Sequence, residues 1–228
     1  MRPLDELLTQ TSLFAQLSAA DRVQLARRAI SREYQRGEFI AHYGDAWPYL
    51  LLMEDGTVDL LRESEEGRNL IVATLAPGDV FWGLAFFFED APCVITLQAR
   101  DATCLYLWSR DTLLPFLLEN GKASWELCRL LVRRMQRASE ILGELAFQPV
   151  VSRVARLLLD HFKDADGDRL KRDLTLDEMA ARAGTTREMV CRALYNFSDK
   201  GLIYITRTEF QLTDKNGLAQ LAERSQHQ

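Results

Sequence analysis

From residue 37 onward the chain is punctuated by glycines at 37, 44, 56, 67 and 78, the last four separated by 12, 11 and 11 residues. Between and after them lie short apolar runs: Phe39-Ile40, Tyr49–Met53, Val58–Leu61, Leu70–Leu75, Val94–Leu97 and Cys104–Trp108. Turn signals at that spacing between β-rich runs predict a sandwich or barrel. Asp55-Gly56 and Glu66-Gly67 suit hairpin turns, because Gly enters positive φ without steric cost. Ahead of this module, residues 4–30 read as short helices, with Leu7, Leu8, Leu13, Phe14, Leu17, Val23, Leu25 and Ile30 as their apolar set.

After Pro115 the period becomes helical for about thirty residues. Cys128, Leu131, Met135, Ala138, Leu142 and Leu145 follow gaps of 3, 4, 3, 4 and 3, an a/d seam suited to an identical helix. Arg129, Arg133, Arg134, Arg137, Glu140 and Glu144 flank it, and a second stripe of Leu127, Leu130 and Ile141 faces the β-module. The plain alternative is a helix packed only within its own chain. Pro149 cannot continue this helix but suits the first turn of the next, which carries Val150, Val154, Leu157, Leu158 and Phe162 and ends in a polar loop over 163–168. The expected division is 1–112, 113–147 and 148–228.

The 228 residues are 47% hydrophobic and 27% charged, an ordinary globular composition, with net charge −5. Residues 1–118 carry −7, whereas 119–146 and 147–228 carry +1 each. An acidic N-terminal module thus precedes a nearly neutral one, and charge alone does not point to nucleic acid. Cysteines 93, 104, 128 and 191 form no C-x-x-C and lie outside ligand spacing of His42, His161 and His227, so no metal site is expected. There is no Walker loop, G-x-S-x-G or H-E-x-x-H, and the histidines have no sequence-visible partner, so an enzyme is not expected. The longest apolar run, Val80–Phe88, is too short to span a bilayer, and the acidic N-terminus is no secretion signal. A soluble cytoplasmic protein is the expectation.

Thr175–Glu178 reads as a capping box opening one helix, and Thr185–Glu188 as a second, with Ala183-Gly184 between them. Two short helices joined at a glycine describe a helix-turn-helix, with Ala180 and Val190 at the crossing. At about 100° per residue from Arg187, Val190, Ala193, Leu194 and Phe197 share one arc. Arg187, Cys191, Tyr195, Glu188 and Arg192 fall on the opposite one. Arg can grip guanine O6/N7 and Glu can accept from cytosine N4, so that arc is fit to read bases. A salt-paired surface helix would show the same mixed charge. The alternating stretch Tyr204–Leu212, centred on Arg207-Thr208, reads as a wing whose tip reaches a phosphate.

This order resembles the cyclic-AMP receptor protein/fumarate-nitrate regulator (Crp/Fnr) superfamily of transcription regulators, over essentially the whole chain. The most specific parts are Leu145-Ala-Phe147 at the hinge and Thr186-Arg-Glu-Met-Val-Cys-Arg192, similar to the family's S-R-E-x-V-x-R. The resemblance implies an α+β fold: an N-terminal cyclic-nucleotide-binding-like β-roll (jelly-roll), a long dimerisation helix and a C-terminal winged helix-turn-helix. It implies a homodimer on palindromic double-stranded DNA with TGTGA-type half-sites, with RNA polymerase as a further partner. Arg187, Glu188 and Arg192 would read bases, while Thr185, Thr186 and Arg207 would touch the backbone.

The sensor positions depart from the family. Its Gly-Glu pair falls on Trp82-Gly83, or on Gly83-Leu84 with a one-residue slip, and its Arg-Ser pair on Cys93-Val94. The Thr-Ser pair of the dimer helix becomes Ala138-Ser139. Without the arginine, a buried cyclic phosphate lacks its charge partner, so cyclic AMP is not expected to bind. The N-terminal segment has no cysteine for an iron-sulfur cluster, and neither Cys93 nor Pro3 makes a convincing haem ligand. The region of Trp82, Gly83, Leu84, Cys93, Val94 and Ser139 is left as the effector pocket for an unknown small molecule. Val80–Phe88 is then either an apolar cavity lining or packed core, and Cys93 either a redox-sensing or an inert buried thiol. A regulatory module that binds protein rather than DNA is the alternative of another class.

Overall fold

The computed structural model describes residues 3–65, 67–163 and 168–223. Glu66 of the expected hairpin, residues 164–167 of the polar loop, and His227 lie outside the described residues. The chain divides into two compact units, one of residues 1–62 and 71–137, the other of 63–70 and 138–228.

The first unit opens with α1 (Leu4–Gln10), a 3-10 turn at Phe14–Gln16 and α2 (Ala19–Arg28). Ser18 caps α2 by accepting from the Asp21 N–H at 3.1 Å. Eight strands follow: β1 (Ile30–Tyr34), β2 (Phe39–Ala41), β3 (Tyr49–Asp55), β4 (Val58–Glu63), β5 (Asn69–Leu75), β6 (Val80–Trp82), β7 (Thr96–Ala99) and β8 (Thr103–Ser109). They form two four-stranded sheets, ordered β1-β8-β3-β6 and β2-β7-β4-β5. Ile30, expected to end the helical segment, instead starts β1, where it pairs with Leu107. The run expected at Val94–Leu97 forms its strand two residues later, because Pro92 and Cys93 are tied to Ala46 and Asp45 instead.

The first sheet is covered on both faces. Leu51, Met53, Phe81, Leu105 and Leu107 pack toward Val58, Leu60 and Leu97 of the second sheet. Leu50, Leu52, Val80, Trp82, Tyr106 and Trp108 pack toward Leu7, Leu8, Phe14, Leu25, Leu113 and Leu127 of the helices. Burial on two sides explains why Leu50–Met53 is an unbroken apolar run and not an alternating one. The Trp108 indole N–H finds its acceptor in the Leu25 carbonyl at 2.8 Å.

Helix begins before Pro115. Ser109 accepts from the Thr112 N–H and starts α3 (Arg110–Glu119), with Pro115 inside it. Asn120 then interrupts the chain, so the expected single element over 113–147 is the end of α3 followed by α4 (Gly121–Phe147). The Asn120 carbonyl oxygen accepts from Lys122 and Ala123 N–H at 3.1 Å each, while its amide donates to Gln16. Such side-chain bonding to local backbone is why Asn favours helix ends over helix interiors.

On α4, Leu127 is buried and Leu130 half-buried against the helix-side core, as expected, whereas Ile141 of the same expected stripe belongs to the second unit. The first stripe shifts. Leu131 is half-buried in that same core, and Leu145 is half-buried as well. The exposed apolar residues are instead Trp125, Cys128, Val132, Met135 and Leu142, with Ser139 and Ala146 completing gaps of 3, 4, 3, 4, 3 and 4. Leu131 and Val132 are both apolar and lie about 100° apart on the helix, so periodicity alone did not separate them.

The second unit contains α5 (Val150–Lys163), β9 (Arg169–Lys171), α6 (Leu176–Ala183), α7 (Arg187–Asp199), β10 (Ile203–Ile205), β11 (Glu209–Leu212) and α8 (Lys215–Ala222). Its core joins Val154, Leu158 and Phe162 of α5 to Val190, Leu194 and Phe197 of α7 and to Leu218 of α8. The sheet order is β10-β11-β9, so the expected two-stranded wing has a third strand. Among the described residues no helix is long and apolar enough to cross a membrane.

The β3–β4 turn is the tightest backbone approach. Gly56 has φ +77°, and a Cβ there would run into the Ala102 carbonyl and come within 2.7 Å of Thr103 Oγ1. Gly44 has φ +90° with open space around it. Gly44→Ala should therefore cost only the left-handed backbone penalty of about 1–2 kcal/mol. Gly56→Ala should cost at least about 1 kcal/mol more through overpacking. Urea unfolding of the two variants checks the difference.

Candidate nucleic-acid interface

Each arm of the helix pair is fixed by local bonding. Thr175 and Glu178 form a reciprocal capping box at the start of α6, the Glu178 N–H donating to Thr175 Oγ1 at 3.1 Å and the Thr175 N–H to Glu178 Oε2 at 2.7 Å. Gly184 ends α6 at φ +59°, a left-handed cap, and the Thr185 N–H then donates to the Ala180 carbonyl. The second capping box does not form. Thr186, not Thr185, caps α7, accepting from the Met189 N–H at 3.4 Å. With the helix starting at Arg187, its third residue is Met189, which has no carboxylate to return the bond. The Glu188 carboxyl instead takes its own N–H and the Thr186 hydroxyl, which hold its pKa below the usual carboxylate range. It is an ionised acceptor at neutral pH.

Rotation of α7 is fixed by its core side. Val190, Ala193, Leu194 and Phe197 are all buried, while Arg187, Glu188, Arg192 and Tyr195 are exposed. The exposed side is an open face carrying Arg187, Glu188, Cys191, Arg192, Tyr195, Asn196, Asp199 and Lys200. Arg187 pairs with Asp177 of α6 at 3.3 Å, with both side chains more than half exposed. Exposed pairs of this kind are worth about 0–1 kcal/mol, so the guanidinium exchanges partners cheaply. Arg192 has no ion pair among the described residues. Arg207 is exposed at the tip between β10 and β11, where the Thr206 hydroxyl accepts from Thr208 and Glu209 N–H. From the added strand side, Arg172 donates to the Thr206 carbonyl at 2.9 Å and lies over the Phe210 ring.

Two half-buried guanidiniums carry further contacts. Arg153 of α5 donates to the carbonyls of Gln148, Ala183 and Gly184 at 2.6, 2.8 and 3.2 Å. One side chain thus ties the segment before α5 to the turn of the helix pair. Burial lowers its pKa from the ordinary guanidinium value. Arg134 of α4 stacks on Trp82 with 3.8 Å to the ring centroid and donates to the Val80 carbonyl. Burial brings its pKa down to about 10, against the opposing pull of Asp79. In sequence both arginines look like ordinary helix-surface charges, and no local pattern marks either.

The six residues expected to share an effector pocket are not gathered together. Trp82 lies in the helix-side core and Cys93 in the core between the sheets. Neighbours along a strand point to opposite faces, so Trp82 and the Phe81 side that meets Cys93 diverge. Gly83 is buried against Trp47, whereas Leu84, Val94 and Ser139 are exposed. The Val80–Phe88 run is largely packed core, with Leu84, Phe87 and Phe88 exposed. The Cys93 thiol donates to the Ile95 carbonyl at 3.0 Å, and burial raises its pKa, which suppresses the reactive thiolate. Among the described residues no cluster of three or more His, Cys, Asp or Glu could hold a metal.

Comparison with known proteins places these features in context. Residues 31–120 match the family model of the cyclic nucleotide-binding domain, and residues 152–221 that of the Crp-like helix-turn-helix domain. The cyclic AMP receptor protein of Thermus thermophilus is 30% identical over 191 residues, covering 81% of this chain and 85% of that protein. A CRP-like cAMP-activated global transcriptional regulator of Mycobacterium tuberculosis is 27% identical over 224 residues, covering 96% and 100%. Among solved structures, a putative crp/fnr-family regulator from Eubacterium rectale superposes with TM-score 0.78 at 22% identity, over 93% of this chain and 98% of that one. The c-di-GMP responsive regulator CLP of Xanthomonas campestris superposes with TM-score 0.76 at 20% identity, over 86% and 99%.

Removing the Arg153 guanidinium leaves three carbonyls without their charged donor. Arg153→Met should lower stability by about 2–3 kcal/mol, and Arg153→Lys should recover only part, since one ammonium lacks the planar fork. Thermal unfolding of both variants measures this.

Proposed function

The chain belongs to the Crp/Fnr superfamily of DNA-binding transcription regulators, and on that premise we propose that it is a homodimer reading a near-palindromic site with TGTGA-like half-sites. The observation that carries this reading is the two-sidedness of α7, whose buried arc holds Arg187, Glu188 and Arg192 outward. Arg187 and Arg192 donate to guanine edges and the ionised Glu188 accepts from cytosine N4. Thr185, Thr186 and Arg207 contact the backbone and set the register. The three segments 1–112, 113–147 and 148–228 serve as sensor, dimer helix and reader. RNA polymerase is the further protein partner, by family resemblance, and the cytoplasm the place of action.

The exposed stripe on α4 supports the dimer: Val132, Met135 and Leu142 are 53%, 71% and 68% exposed in the single chain. Cys128 belongs to it and Ala138 flanks it, while Leu131 and Leu145 contribute only at its edge. The sensor module does not take cyclic AMP in the usual manner. Cys93 and Val94 stand where the family places its phosphate-binding arginine, and Arg134 already stacks on Trp82. A redox role for Cys93 has no support from its raised pKa. The alternative of a small apolar ligand at the Cys93/Trp82 region has no support from the packing, since the two side chains are buried in different cores. A purely protein-binding module would show no DNA retention even at low salt.

Three outcomes test these assignments. On a site selected from random duplexes, Glu188→Ala and Arg192→Ala should each relax preference at one base pair, costing about 1–3 kcal/mol. Arg207→Ala should weaken all sequences alike and flatten the salt dependence. Uniform losses from all three would remove direct readout. In sedimentation, Val132→Asp with Leu142→Asp should give monomers, since like charges facing in a desolvated seam cost several kcal/mol. A double variant that remains dimeric would displace the interface from this stripe. Calorimetric titration with millimolar cyclic AMP should give no saturable heat, because losing the phosphate's cation costs about 100-fold or more in affinity; micromolar binding would overturn that.

A further inference from the structure

The exposed arc of α7 carries more than its three charged readers. Tyr195 is 71% exposed and shares the open face of the helix with Arg187, Glu188, Cys191 and Arg192. At about 100° and 1.5 Å per residue it falls roughly 80° round from Arg187, about 12 Å along the axis and about 4.5 Å beyond Arg192. Its ring has no stacking or cation–π partner among the described residues, and its hydroxyl has no hydrogen bond there. The fixed rotation of the helix removes freedom to hide it. Any docking that sets Arg187 and Arg192 against base edges carries the Tyr195 ring into the same major groove.

The apolar group presented in that groove by a base is the C5-methyl of thymine, for which aromatic and aliphatic side chains are the natural contacts. Cys191, one turn earlier on the same side, adds a second surface with little hydrogen-bonding demand. We propose that Tyr195 is a specificity-determining residue that reads a thymine methyl next to the base pairs gripped by the arginines. This rests on the assignment of α7 as the DNA reader and extends it to a base class that charged side chains do not select.

The test uses the full-length protein and the duplex it selects, with each thymine of the half-site replaced in turn by uracil, which removes only the methyl. Wild type and Tyr195→Phe should lose about fourfold in affinity at one thymine per half-site, the worth of one buried methyl group. Tyr195→Ala should bind the thymine duplex about as weakly as wild type binds the uracil one, and should show no further loss with uracil. Tyr195 is exposed, so both variants should match wild type in thermal unfolding. If Tyr195→Phe weakens every duplex equally and Tyr195→Ala keeps the uracil penalty, the hydroxyl is a phosphate contact and the proposal falls. Replacing guanines with 7-deazaguanine reads the arginine contacts independently. Sensitivity there with no thymine mattering, or with none in the half-site, defeats the Tyr195 assignment alone; insensitivity to both modifications defeats the reader assignment as well.

Discussion

Helix α4 carries more apolar surface than its own β-module covers. Leu127 and Leu130 go into the helix-side core, while Trp125, Val132, Met135 and Leu142 remain in contact with water. A stripe of that kind, continuous over several turns, is costly to leave exposed and is best satisfied by the same stripe on a second copy. Two-fold pairing would in turn duplicate the reading helices and demand a two-fold site. The surplus on α4 thus bears on pairing, and the chemistry of α7 on the sequence that such a pair would prefer.

Two half-buried guanidiniums hold pieces together within their own units. Arg153 satisfies three carbonyls around the Gln148 segment and the α6–α7 turn, a job that three separate neutral donors would otherwise have to do. Arginine's fork suits it, because several donors in fixed geometry can serve carbonyls on different segments. Arg134 does the comparable work between α4 and β6, stacked on Trp82 and bonded to Val80. The stack and the hydrogen bond together join this helix to the sheet.

Much of the architecture was legible because it is written in local periods. Glycine spacing marked the β-module, Pro149 the break between α4 and α5, and the Thr175 box with Gly184 the helix pair; the buried arc of α7 followed from 3.6-residue geometry. What escaped depended on tertiary choice. Leu131 and Val132 differ in role only because one of them meets the core. The break at Asn120 needs its side chain bonded both to α4 and to Gln16, a contact 104 residues away. Strand β9 is three residues long and becomes a strand only by pairing with β11. The shift of the α7 cap from Thr185 to Thr186 is one residue, below what a capping pattern resolves when two threonines adjoin. Trp82 and Cys93 were grouped by alignment position, whereas strand alternation sends them to different cores.

The proposed dimer would hold two reading helices at a fixed separation of about one turn of DNA. Affinity for the selected palindrome, compared with the same palindrome carrying five extra base pairs at its centre, tests this directly. The insertion turns one half-site to the opposite face of the duplex. A rigid pair should then grip only one half and lose about 100-fold or more in affinity, falling to the level of an isolated half-site. Equal affinity for both duplexes would mean that the readers act independently, and would contradict the claim.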